Sequence, residues 1–118
     1  TPTPTNTPTP TETPTQTPPP AVAAPVDLES LFTRFSGEYS VDREQLKRIA
    51  SCESKFNNDA TNGDYLGMFQ FATASWSAVR GRMGADPNPD LRRNPEEAIK
   101  TAAFHISRGG QNAWPSCK

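Results

Sequence analysis

The chain has 118 residues, room for one small domain, and a net charge of −1. Every Lys and Arg and every acid except Glu12 lies beyond residue 26, so that part is formally neutral, which argues against a nucleic-acid partner. No apolar run is long enough to span a membrane.

Residues 1–26 are Thr-Pro dipeptides interrupted at Asn6, Glu12 and Gln16, followed by Pro18-Pro19-Pro20 and an Ala/Pro tail. With no aromatic side chain to bury, nothing offsets the entropy of ordering them, so they read as a disordered Thr/Pro-rich linker. Polyproline II geometry at about 3.1 Å per residue makes it a semi-rigid spacer of roughly 70 Å that tethers the domain, expected to be a monomer.

Residues 27–118 form the domain. Asp27 opens a helix whose stripe is Leu28, Leu31, Phe32 and Phe35, ended by Gly37. Ser40 N-caps a second helix with Asp42 and Glu44 in its first turn, running to about Lys55. Its apolar stripe is Leu46, Ile49 and Ala50, and Glu53 takes the next position of that stripe. A carboxyl facing a core loses hydration, and the negative end of the helix dipole disfavours its charge further; both raise its pKa. A carboxylic acid that keeps its proton near neutral pH is suited to general acid catalysis.

Asn57 to Gly63 is a polar loop that fails the calcium-loop pattern, since the sixth position from Asp59 is Asp64 rather than glycine. Tyr65 to Phe71 is extended or a small turn, and it brings Gly67-Met68-Phe69-Gln70 beside the second helix. A third helix starts near Thr73, with Trp76, Val79 and Met83 on one face. Asp86 to Asp90 is a rigid turn. The last helix begins with Asn94 as N-cap, Pro95 at its first position and Glu97 completing a capping box. Its stripe is Ile99, Ala102, Ala103 and Ile106, and Gly109-Gly110 stops it. The fold is mainly α, with at most a short hairpin.

Cys52 and Cys117 fit no metal-ligand spacing and no C-x-x-C redox motif, which leaves a disulfide or two free buried thiols. A disulfide would stabilise by roughly 4 kcal/mol in the chain-entropy model and implies an oxidising compartment.

Cys52-Glu53-Ser54, then Gly67-Met68-Phe69-Gln70-Phe71, then Asn94-Pro95-Glu96-Glu97 with Ile99, Ala102 and Ala103, resemble the lysozyme-like superfamily that cleaves peptidoglycan. The order of motifs is similar to the soluble-lytic-transglycosylase branch, while Cys52, Trp114 and Cys117 look like the compact resuscitation-promoting-factor branch, whose terminal Cys closes a disulfide. The resemblance covers about residues 40–118. One departure is Ala102-Ala103-Phe104-His105, a loose imitation of the Ala-Ala-Tyr-Asn motif in which Phe104 lacks the positioning hydroxyl. His105, the single histidine, reads as a packing or surface residue.

The resemblance implies a small lysozyme-like domain acting on peptidoglycan glycan strands, at the bond from N-acetylmuramic acid to N-acetylglucosamine. Glu53 would act as general acid and then as base, with a 1,6-anhydromuramyl product in a lytic transglycosylase and a reducing end in a hydrolytic muramidase. The candidate substrate contacts are Gln70, Tyr65, Gly67, Ser54 and Asp64. Gln70 would both donate to and accept from an N-acetyl group, Tyr65 would stack on a sugar, and Gly67 would allow close backbone approach. Ser54 would steady Glu53 or cap a carbonyl, and Asp64 would touch substrate or form a turn; Trp76 reads as core. No metal or cofactor is called for, and the location implied is extracellular or in the cell wall. The contrasting reading is a wall-binding or signalling module with little activity.

Overall fold

The computed structural model describes residues 24–117. The linker expected over residues 1–26 lies outside them except for its last three positions, as does Lys118. Four helices make up the domain: α1 (Val26–Tyr39), α2 (Arg43–Ser54), α3 (Thr73–Met83) and α4 (Pro95–Ser107). A two-stranded antiparallel hairpin, β1 (Thr61–Asn62) and β2 (Tyr65–Leu66), lies between α2 and α3. Short 3-10 turns precede and follow α4, at Pro89–Arg93 and Gly110–Ala113. No helix of the described residues is long and apolar enough to cross a membrane.

The fold is mainly α with one short hairpin, as the spacing of apolar residues implies. The polar loop is shorter than expected, because Thr61 pairs with Leu66 and Asn62 with Tyr65 across the turn at Gly63. α4 is the centre: it packs against α1, α2, α3 and both 3-10 turns. Its stripe residues Ile99, Ala102 and Ala103 are fully buried against Phe32, Phe35, Leu46, Ile49, Met68, Phe69 and Trp76.

The junction of α1 and α2 differs from the sequence reading. α1 continues through Gly37, since a single helical glycine costs only about 1 kcal/mol and the flanking Phe32 and Phe35 are buried. Ser40 is not the N-cap of α2; it takes a left-handed conformation (φ 57°) and its N–H returns to the Ser36 carbonyl, closing α1. Asp42 caps α2 instead, its carboxylate accepting from the Glu44 N–H at 2.9 Å. The two helices are fastened by Lys47, whose buried ammonium lies 3.0 Å from Glu29 and 3.7 Å from Glu44.

Two other local expectations change. Met83 is only partly buried, and the inner face of α3 carries Arg80 with Trp76 and Val79. A cation is tolerated there because Arg80 reaches the Glu97 carboxylate at 2.8 Å, Thr101 Oγ1 at 2.9 Å and the Asp86 carbonyl at 2.8 Å. That pairing uses the carboxylate the capping box would have needed. Asn94 Oδ1 still accepts from the Glu97 N–H, but the Asn94 N–H goes to the Leu91 carbonyl, so half of the box forms.

Cys52 and Cys117 are joined in a disulfide, with Cα atoms 5.5 Å apart and 65 residues of separation. It ties the last turn of α2 to the tail that follows α4. Reducing it, or replacing both cysteines with serine, should lower unfolding free energy by about 2–4 kcal/mol; urea denaturation with and without reductant measures this.

Candidate functional site

Glu53 stands on the last turn of α2, in the position its helical spacing assigns, and is partly exposed. Its carboxyl makes no hydrogen bond or ion pair with any described residue. Loss of hydration therefore acts unopposed and pushes its pKa above the ordinary value of 4.5.

The carboxyl opens onto a cavity of about 250 Å³ lined by Glu53, Asn62, Tyr65, Gln70, Ala113 and Trp114. The last four of these also line a neighbouring pocket of about 330 Å³, floored by Phe71 and Val79, so the two form one open groove. Each wall has a distinct origin in the sequence: α2 supplies the acid, the hairpin supplies Asn62 and Tyr65, and the second 3-10 turn supplies Ala113, with Trp114 directly after it. Tyr65 is 51% exposed, with its ring at the groove edge.

Trp114 forms the far wall. Its indole N–H donates to the Phe69 carbonyl at 2.8 Å, and its ring packs against Phe69, Phe71 and His105 with centroids 5.6–5.9 Å apart. The tail carrying it passes close over the His105 imidazole at Gly110, where a β-carbon would overlap the ring. His105 is thus a packing residue along the groove.

Of the expected site residues, Tyr65 and Gln70 meet Glu53 at the cavity. Gln70 has a left-handed backbone (φ 54°), and its amide nitrogen donates to the Ala60 carbonyl at 3.0 Å and the Gly67 carbonyl at 2.8 Å. Both amide hydrogens are used, so only Oε1 remains to meet a ligand; the expected donation to an N-acetyl group has no proton to supply it.

Gly67, Ser54 and Asp64 do not line the cavity. Gly67 has φ 92°, and a β-carbon there would collide with the Arg92 carbonyl, so its close approach is to the protein's own backbone. Ser54 does not bond Glu53: its hydroxyl donates to the Met68 carbonyl at 2.7 Å and accepts from the Asn57 N–H at 3.1 Å, fixing the loop to the helix end. Asp64 takes the Thr73 hydroxyl at 2.6 Å and the Thr73 N–H at 2.9 Å, capping α3 from the hairpin turn because Ala72, at the N-cap position, has no oxygen to do so. Those bonds, hydroxyl first, hold its carboxyl below the ordinary value.

Arg92, to which the sequence reading gave no role, locks this frame. It is 8% exposed, and its guanidinium donates to the carbonyls of Asp64 at 2.8 Å, Phe71 at 2.9 Å and Pro89 at 2.8 Å. Asn62, beside Glu53 in the cavity, was also missed; a lone Asn in a polar loop carries no pattern that marks it. Trp76 is fully buried with its N–H on the Asn88 carbonyl, in agreement with its reading as core. Phe104 packs edge-on to Tyr39, away from the cavity of Glu53.

A partly desolvated acid at a helix end, facing a hairpin across an open groove in a small disulfide-closed helical domain, is the arrangement of the lysozyme-like class. The chain belongs to the transglycosylase-like domain family, whose model matches residues 40–117 and leaves only α1 of the four helices outside. Over 84 residues it is 34% identical to the peptidoglycan transglycosylase gp16 of Escherichia phage T7. That match spans 70% of this chain and only 6% of the phage protein.

The frame makes two predictions. Gly67→Ala should destabilise the domain by about 3 kcal/mol through collision with Arg92 and a strained φ, read by chemical denaturation. Asp64→Ala should lower the melting temperature above the ordinary carboxylate range, with the deficit closing in acid. A depressed folded pKa gives stability that is present above the unfolded value and lost as pH falls through the folded one.

Proposed function

We propose that the domain cleaves the β-1,4 bond between N-acetylmuramic acid and N-acetylglucosamine in peptidoglycan, as a lytic transglycosylase with Glu53 as its one catalytic carboxyl. The observation that carries this reading is the set of residues around Glu53: among the described residues, no second Asp or Glu lines the cavity it faces. Asp64 is engaged with Thr73, and Asp59, an exposed loop residue, is not at the cavity. A two-carboxylate glycosidase needs its partner acid within about 5–9.5 Å to act as nucleophile or to activate water.

One acid suffices if the substrate supplies the nucleophile. Protonated Glu53 gives its proton to the bridging oxygen as the C1–O bond of the muramyl residue breaks and oxocarbenium character develops. The resulting carboxylate then takes the proton of the same sugar's C6 hydroxyl while O6 bonds to C1. The 1,6-anhydro ring forms, no water is consumed, and Glu53 ends protonated as it began. Gln70 Oε1 accepts an N–H from an N-acetyl group, and Tyr65 offers an exposed ring to a sugar face. The family membership and the likeness to a phage protein named as a peptidoglycan transglycosylase support the substrate. The disulfide suits an extracellular or wall location.

Purified sacculi incubated with the protein should release muropeptides with anhydro ends, identified by mass. Reducing ends would replace this reading with a hydrolytic muramidase, and absence of release with a binding module. Glu53→Gln should lower the rate about 10²–10⁴-fold while the protein still sediments with sacculi; undiminished release would remove Glu53 from the mechanism. In the wild type, kcat/KM should fall as pH rises through the elevated pKa of Glu53. Stability should fall over the same interval, since a carboxyl whose folded pKa is raised contributes most below its unfolded value. Glu53→Gln should therefore be at least as stable as wild type at pH 7, a comparison thermal melts provide.

A further inference from the structure

The groove does not end at the sugar-sized cavity. Its 330 Å³ arm reaches Arg82 on α3 and His105 on α4, and Arg82 also borders a hollow of about 480 Å³ with Phe104 and Arg108. Among the described residues, no Asp or Glu lines either of these two spaces. Elsewhere positive charge is answered by negative: Arg34, Arg43 and Arg80 all pair with glutamates, and the hollow on the Arg80 side sets Glu38, Asp86 and Glu97 beside Arg80 and Lys100. Arg82 and Arg108 are exposed and make no ion pair with a described residue.

From this we infer that Arg82 and Arg108 form a ledge that takes a carboxylate of the peptide carried by the muramyl residues of the glycan strand. This rests on the reading of the groove as a glycan site. The chemistry of the ledge fits an acidic peptide in three respects. Guanidinium groups match carboxylates with paired N–H donors. Arg108 is held over the Phe104 ring, 4.9 Å from its centroid, so part of its ordering cost is already met. Phe104 and Val79 give apolar surface for the methyl groups of alanine side chains. Burial, and then Arg82, disfavour protonation of His105, so the charge of the ledge rests on the two arginines.

Continuity with the groove selects the strand's own peptide over a separate anionic wall polymer. The pocket that reaches Arg82 shares Tyr65, Gln70, Ala113 and Trp114 with the cavity of Glu53. A carboxylate attached to a strand seated there meets the ledge at high effective concentration, so even exposed ion pairs, individually weak, add to affinity.

The test compares kcat/KM on glycan strands bearing peptides with that on strands stripped of them by an amidase. Wild type should favour the peptide-bearing strands about five- to tenfold, mainly through KM, and the preference should shrink with salt. In Arg82→Gln/Arg108→Gln the ratio should fall to about one, and in Arg82→Glu below one. No preference in wild type, or an unchanged ratio in the double variant, overturns the inference. A second measurement needs no catalysis: Glu53→Gln protein is titrated by NMR with acetyl-L-Ala-D-Glu-L-Lys-D-Ala and with its fully amidated form. Arg82 and Arg108 signals that move with the acid form and not the amide support the ledge, and if neither strand is cleaved that result leaves it in place while removing the catalytic reading. Equal responses to both forms overturn it, as do shifts with inorganic phosphate but not with the peptide.

Discussion

The hydrogen bond from the Trp114 indole to the Phe69 carbonyl fixes the far wall of the groove. Phe69 is fully buried, and a buried carbonyl left without a donor costs about 1–3 kcal/mol. The donor comes from 45 residues downstream, so the end of the chain completes the middle of the domain. In doing so it places an aromatic wall opposite the acid on α2. The disulfide restrains the same tail at Cys117, three residues beyond, and packing on Phe71 and His105 sets the ring's tilt.

Around that wall, stability and chemistry divide the polar residues between them. Ser54, Asp64, Gly67 and Arg92 commit their hydrogen bonds or their shape to the protein's own frame and hold the hairpin against α2 and α3. Glu53 is treated differently. It lies within this well-satisfied frame with no partner among the described residues, and burial penalises its charge, a property that suits an acid catalyst. A rigid frame also lets Gln70 hold a left-handed backbone, because two carbonyls fix its amide.

The helices and their inner faces were legible from periodicity, since Leu46, Ile49, Ile99, Ala102 and Ala103 could only point one way. Glu53 was legible for the same reason: it continues a stripe. The errors have a common physical origin. Ser40 and Asp42 are both good cap residues, and the choice between them depends on where the chain turns left-handed, which no pattern reveals. By type, Ser54 and Asp64 suit a structural role as well as a ligand role, and the contacts that Gly67, Ser54 and Asp64 make, with Arg92, Met68 and Thr73, are set by tertiary packing. Nothing in the sequence marks Arg80 and Arg92 for burial, since the acceptors that make it possible are mostly backbone carbonyls.

The bond between Cys52 and Cys117 also changes the chain's topology. It encloses the hairpin, α3 and α4 in a single covalent ring that contains both long exposed turns of the domain. One proteolytic cut in the turn before Pro89, or in the loop after α2, opens the ring without dividing the molecule. The acid on one side of the cut and the tryptophan wall on the other stay joined, at a local concentration that favours their reassembly. Tolerance of a single nick is a form of durability that the small core alone does not provide.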